Sequence, residues 1–285
     1  MLESIINPKN PQTGTWKMIF IGIIYASLSI LLVHWFFSAD QVLSEYSGMI
    51  VVTFCVMFTL PYMYFIIKQE EAEDETIEGF WGVWKAHSDA IYAFMWLFLG
   101  FIIAFAFWYL VLQNQTLFNA QIGAYCQINR PGGVEECVAG YNFDSPSLTG
   151  AATKGVRFLS ILENNVYVMI FTLIFSLIFG AGAIFVLAWN ASVIAAAIAI
   201  FTKYNILEIP LGVARYMIHG GLEIAAYFIT ALAGGIFGVG VLRNGIRNKN
   251  FLRILENVAI LLFIGILILI LAAVIEVYIT PLLFN

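Results

Sequence analysis

Six apolar runs dominate this chain, covering about residues 17–38, 48–67, 90–112, 164–202, 212–241 and 254–280. A helix crosses the hydrocarbon core of a bilayer with roughly 20 apolar residues, so each run is long enough to span a membrane. A backbone inside lipid must satisfy its own amides and carbonyls, which restricts such runs to helix. Composition leaves no soluble alternative. With 61% hydrophobic and 11% charged residues and a mean hydropathy of +0.90, the 285-residue chain has too little polar surface to cover a soluble globule. The expected fold class is an all-α polytopic membrane protein, with the lipid bilayer as its first partner.

The formal net charge of −5 says little about partners, because the acids are gathered in "KQEEAEDETIE" rather than spread over a surface. Nothing in the chain points to nucleic acid. Cys55 lies in an apolar run, Cys126 and Cys137 lie in the longest polar loop, and no Cys/His spacing of a zinc site is present. No metal, cofactor or catalytic residue set is expected. The first run is too long for a signal-peptide core and reads as a retained helix.

The fourth run is about twice the usual length and contains "FGAGAIFVLAWN". It reads as a tight hairpin of two short helices turning between Gly180 and Trp189, which gives about seven spans. The placement of basic residues agrees with that count. "LRNGIRNKNFLR" carries Arg243, Arg247, Lys249 and Arg253, whereas "SADQVLSEYSG" carries no basic residue. Positive loops face the cytoplasm. Seven spans then put the N-terminus inside, the loop 113–163 outside and the C-terminus outside, in a multi-pass protein of the cell membrane. Six spans would put those two loops on one side.

Between the second and third runs, "KQEEAEDETIEGFWGVWKAHSD" is acidic and then aromatic. Phe80, Trp81 and Trp84 share a helical face, so an interfacial helix is expected, with His87 an interfacial histidine; a partner-docking acidic patch is the alternative. In the external loop, Cys126 and Cys137 flank a Pro-Gly-Gly turn and are expected to form a disulfide, with two free thiols the alternative. Asn114 opens an "NQT" glycosylation sequon on the side where it would be used, whereas the "NAS" at Asn190 falls inside the hairpin.

Ionisable residues inside spans are expensive, about 2.5 to 3.5 kcal/mol for an acid at mid-helix on insertion scales, so those that occur call for a partner. "HGGLEIAAYF" places His219 and Glu223 one helical turn apart on the sixth span, and the last span holds one acid, Glu276. At 1.5 Å per residue, His219 and Glu276 both lie about 10 Å into the outer half of the bilayer. Three readings are open for this trio. It is a polar clasp that fixes helix packing, a site that moves protons, ions or a small polar ligand, or the centre of metal-dependent or acid/base chemistry. The second histidine of the usual zinc hydrolase spacing is absent.

Asn164 and Asn165 open the fourth run, where they would cap a helix, and Asn190 would satisfy the hairpin turn; ligand contact is the alternative for all three. Gly234 and Gly238 have the G-x-x-x-G spacing that lets helices approach closely within a bundle or between subunits. Gly180, Gly182 and Gly220 are expected to serve packing in the same way.

Read in order, "ENNVYV", "WNASV", "HGGLEIAAYF" and "AAVIEVYITP" resemble the stage II sporulation protein M family. Its members share a double asparagine before a span, an asparagine in the following hairpin, an HG-x-x-E motif and a late I-E-x-x-x-x-P motif. Asn164 and Asn165, then Asn190, then His219, Gly220 and Glu223, then Glu276 and Pro281 match these. Two positions depart from the pattern: Ala191 stands where glycine is usual, and Ile218 where a proline often precedes HG. The resemblance implies a two-span N-terminal extension over residues 1–89 and a family membrane domain over 90–285, as in the longer archaeal-type members. It also implies a scaffold that binds a protein partner or a second copy of itself. A transporter or channel built on the His/Glu/Glu cluster, or an intramembrane hydrolase, are the competing functions.

Overall fold

The computed structural model describes residues 15–37, 39–40, 42–74, 80–112, 114–129, 154–179, 184–202, 205–244 and 249–283. These residues are almost entirely helical. Helices α1 (Met18–Phe37), α2 (Ser47–Asp74), α3 (Phe80–Leu112), α4 (Asn119–Asn129), α5 (Lys154–Phe179), α6 (Ile184–Phe201), α7 (Ile209–Asn244) and α8 (Lys249–Val274) follow in order. A π-helical turn, Ile275–Ile279, then leads into the short α9 (Thr280–Leu283). Six of the helices are long and apolar enough to cross a bilayer, and Ile184–Ile200 forms a shorter apolar helix.

Several hydroxyl side chains within the spans are satisfied by their own helices. Ser29 donates to Tyr25 O at 2.6 Å, Thr59 to Cys55 O at 2.7 Å, Thr172 to Val168 O at 2.8 Å and Thr230 to Ala226 O at 2.8 Å. Bonding to the preceding turn removes the cost of a hydroxyl in an apolar surround without needing a partner helix.

Helix direction follows from which residues meet. Gly22 on α1 lies against Leu97 and Gly100 on α3, and Ser27 accepts from Trp108 Nε1 at 2.8 Å, so α1 and α3 run parallel. Asn165 on α5 meets Glu223 on α7, and Leu173 and Leu177 meet Gly234 and Gly238, so α5 and α7 are also parallel. The chain must therefore return along α6. The long fourth run is two helices, Lys154–Phe179 and Ile184–Phe201, and residues 180–183, with Gly180 and Gly182, lie outside the described residues. Helix α6 resumes at Ile184, so Trp189 and Asn190 sit within it rather than at the turn.

Helix α6 is the packed centre of the bundle. It lies against α2, α3, α4 and α7, and Ala188, Ala191, Ala195, Ala196 and Ala199 are buried. Lipid tails are as apolar as leucine, so close van der Waals approach, which small side chains permit, is what holds membrane helices together. The span within α7 is 78% buried and that within α3 67%, whereas the span Phe158–Leu177 on α5 is only 17% buried. Helix α5 is thus peripheral, with Ile170, Phe171, Ile174 and Leu177 exposed along its outer side.

Two sequence expectations on the N-terminal side are corrected. The aromatic segment is not a separate interfacial helix, because Phe80 begins the same unbroken helix that runs to Leu112. Trp81 is exposed, Trp84 packs partly against the core and His87 is fully buried. The apolar run from residue 90 propagates helix backward through "GFWGVWKAHSD", which contains no proline or other strong stop. The loop 113–163 is likewise shorter than expected, since α4 occupies part of it and α5 starts at Lys154. Cys126 is buried on α4, while Cys137 lies outside the described residues, with the rest of 130–153.

Candidate functional site

A polar cluster joins α5, α7 and the π-helical turn. At its middle is Asn165, 5% exposed, whose Nδ2 donates to Glu223 Oε1 at 2.7 Å. The Tyr227 hydroxyl, one turn further along α7, donates to Asn165 Oδ1 at 3.1 Å. Asn165 thereby uses its oxygen and its nitrogen on two residues of the same facing helix. Both ends of the amide are committed, which fixes its orientation.

Glu223 also reaches the opposite neighbour. It lies within electrostatic reach of Glu276, as does Tyr227. One turn along in each helix, Thr280 Oγ1 and His219 Nδ1 lie 3.3 Å apart. The pairs 219/280 and 223/276 are two rungs of one antiparallel seam, which Gly240 against Ile254 and Gly265 against Thr230 extend.

Glu276 is held within an unusual piece of helix. The backbone of Thr280 donates to Ile275 O, and its hydroxyl accompanies that bond at 3.2 Å. The next residue, Pro281, has no N–H and would clash with a carbonyl one turn back in a regular α-helix. The wider π turn places five residues where that clash would fall, and single π turns of this kind recur at functional positions. Val277 is buried, whereas Tyr278, Ile279, Leu282 and Leu283 are exposed, and Lys154 of α5 lies 5.7 Å from the Tyr278 ring centroid.

His219, Glu223 and Glu276 therefore share one region, but not one level: Glu276 is level with Glu223, and Thr280 with His219. Counting depth inward from the ends of hydropathic runs misplaces Glu276 by one turn, because packing register, not run ends, sets the seam. All three are half-buried. Asn165 belongs to the cluster, but not as a helix cap, since α5 begins at Lys154 and carries it well inside the helix. Asn164, its neighbour, is exposed and reaches Asn165 Oδ1 only at 3.4 Å.

Asn190 is not part of the cluster. Its Nδ2 donates to Val186 O at 2.7 Å in its own helix. Gly234 and Gly238 lie where an added β-carbon would press on the Leu173 and Leu177 carbonyls of α5, whereas one on the buried Gly220 would meet nothing within 4 Å. Tyr227 and Thr280 were missed from sequence. Each lies four residues beyond a member of the trio, Glu223 and Glu276 respectively, and that spacing was the available signal.

Among the described residues, no group of three or more His, Cys, Asp and Glu is placed to hold a metal ion. The family model described as stage II sporulation protein M matches residues 93–281. The chain belongs to the stage II sporulation protein M family. That match takes in every member of the cluster, from Asn165 on α5 to Thr280 on the last helix. No curated protein and no solved structure matches the chain.

Proposed function

We propose that this stage II sporulation protein M family member is a membrane scaffold, and that its polar cluster is a clasp holding α5, α7 and the π-helical turn together. One observation carries this reading: Asn165 on α5 bonds to Glu223 and Tyr227 on α7, and His219 on α7 meets Thr280 beyond the π-helical turn. Polar bonds between membrane helices contribute about 0.6 kcal/mol on average and up to about 1.7. Several of them in series therefore suffice to fix the least buried span, that of α5, against the core. An ordered α5 offers its outer apolar side to a protein partner or a second copy. The proposed placement is the cell membrane, with the N-terminus cytoplasmic and the C-terminus external.

The test is the size of the native assembly. In native nanodiscs cut from the source membrane, the wild-type chain should migrate well above its own mass of 31.8 kDa, and Asn165→Leu should release it. Migration of the folded wild type as a single chain would contradict the scaffold.

The half-burial of His219, Glu223 and Glu276 favours a second reading, a carrier for a proton, an ion or a small polar solute that enters beside His219. A His219→Ala variant that assembles normally but abolishes a measured flux would decide for it.

A further inference from the structure

We propose that the bilayer crosses this bundle obliquely, so that the first turns of α5, residues 154–164, lie among lipid headgroups while α1 at the same height is immersed in hydrocarbon. The headgroup layer of one leaflet is then the partner of a stretch where Lys154, Leu159, Ser160, Glu163 and Asn164 are exposed. This setting holds whether or not the polar cluster acts as a clasp.

Helix contacts give the heights. Gly22 of α1 lies against Leu97 and Gly100 of α3, beside Phe94 and Phe98, which pack on Phe228 of α7. Asn165 of α5 bonds to Glu223 and Tyr227 of α7. Gly22 and Asn165 therefore stand at about the same height on α7. Tyr216, near the start of α7, lies within electrostatic reach of Tyr125 on α4, which follows the end of α3, so α7 runs against α3. Going toward the start of α7 thus means going forward along α1 from Gly22 and backward along α5 from Asn165.

From that common height the two lipid-facing sides extend in opposite directions. On α1, Ile24, Leu28, Trp35 and Phe36 are exposed over the stretch that leads toward the start of α7, about 22 Å to Phe37, whereas exposed Trp16 and Lys17 are reached about 9 Å the other way. On α5, exposed Asn164 and Glu163 interrupt the apolar side at once toward the start of α7, while Ile170, Phe171, Ile174 and Leu177 carry it the other way, about 21 Å to Phe179. A bilayer set square to the bundle would need a hydrocarbon core of about 43 Å to cover both sides, against about 30 Å, and would hold Glu163 in lipid. Tilt removes the conflict. The contacts α1 to α3, α3 to α7 and α7 to α5 put α1 and α5 at most about 27 Å apart. Apolar sides whose midpoints differ in height by about 17 Å then correspond to a tilt of about 30°, within the range of about 0 to 40° that membrane helices adopt. The exposed tyrosines fit the same setting, because Tyr167 donates to Glu163 at 3.4 Å and Lys154 lies over the Tyr278 ring, and tyrosine gathers at headgroup level.

Two pairs of exposed residues test this, because the members of each pair stand at one height. Leu28 and Leu159 lie equally far from Gly22 and Asn165 toward the start of α7, and Trp16 and Phe171 equally far the other way. Single cysteines at these positions, in the full chain in nanodiscs, are treated with a small water-soluble maleimide and read peptide by peptide by mass spectrometry, which separates them from Cys55, Cys126 and Cys137. The reacting thiolate needs water, so Leu159→Cys should label at least about tenfold faster than Leu28→Cys, and Trp16→Cys at least about tenfold faster than Phe171→Cys. Either pair decides alone if a variant of the other folds poorly. Equal rates within a pair, or faster labelling of Leu28→Cys or Phe171→Cys, would overturn the oblique setting. A nitroxide on Leu159→Cys should also broaden the lipid phosphorus resonance more than one on Leu28→Cys, and an equal or smaller effect would contradict the headgroup contact.

Discussion

Asn165 and Glu223 meet at 2.7 Å across the seam between α5 and α7, and Tyr227 holds the other end of the same amide at 3.1 Å. This pairing makes Asn165 the most connected polar residue of the cluster. Asn165→Leu removes both bonds and leaves a half-buried carboxyl and a buried hydroxyl short of a partner. A buried polar group left unpaired costs about 1 to 3 kcal/mol. The variant should lose stability on that scale in a reversible unfolding titration in mixed micelles.

Asn190 provides the contrast, because both asparagines fall in family motifs but only one bonds to another helix. Asn190→Ala gives up a bond to its own helix at Val186 and a half-buried position. The same titration should show a change of no more than about 0.5 kcal/mol, the range of substitutions that break no interhelical contact.

Backbone contact between α1 and α3 gives a third prediction. A β-carbon at Gly22 would run into the Leu97 carbonyl, and one at Gly100 into the Ile19 carbonyl. Neither neighbour is a flexible side-chain end, so Gly22→Val or Gly100→Val should part the two helices, with a loss of about 1 to 3 kcal/mol. Gly123→Ala, where an added β-carbon meets nothing within 4 Å, should leave the folded fraction on detergent extraction unchanged.

The return of the chain along α6 is open to a covalent check. A β-carbon built at Gly212 on α7 lies 3.6 Å from that of Ile198 on α6. Disulfides form at β-carbon separations of about 3.5 to 4.5 Å. Ile198→Cys with Gly212→Cys should therefore cross-link on mild oxidation, read by mass spectrometry of the digested chain. Failure to cross-link in a folded protein would contradict the packing of α6 against α7.

Much of this architecture is legible in the chain because lipid permits few solutions. Once each apolar run must be helix, run length gives the spans, and a run of double length divides into two helices. What escaped the sequence depends on contacts that no local pattern encodes. The start of α5 at Lys154 lies in polar sequence ahead of the apolar run, so Asn165 looked like a cap and is an interior residue. The burial of His87 similarly follows from α3 continuing backward from its span and packing there. Spacing put His219 and Glu223 on one face, but the level of Glu276 is set by how α7 and α8 mesh, and Thr280 and Tyr227 enter only through that register. The small residues of α6 were visible as an alanine-rich stretch; that this stretch forms the middle of the bundle was not.

Whether Glu223 and Glu276 act as one unit between helices decides the clasp. A double-mutant cycle of Glu223→Gln and Glu276→Gln, followed by reversible unfolding in bicelles at near-neutral pH, measures this directly. Coupled groups in a membrane interior give interaction energies of about 0.6 to 1.7 kcal/mol, and a value in that range is predicted. Strict additivity of the two substitutions in folded protein would contradict the clasp.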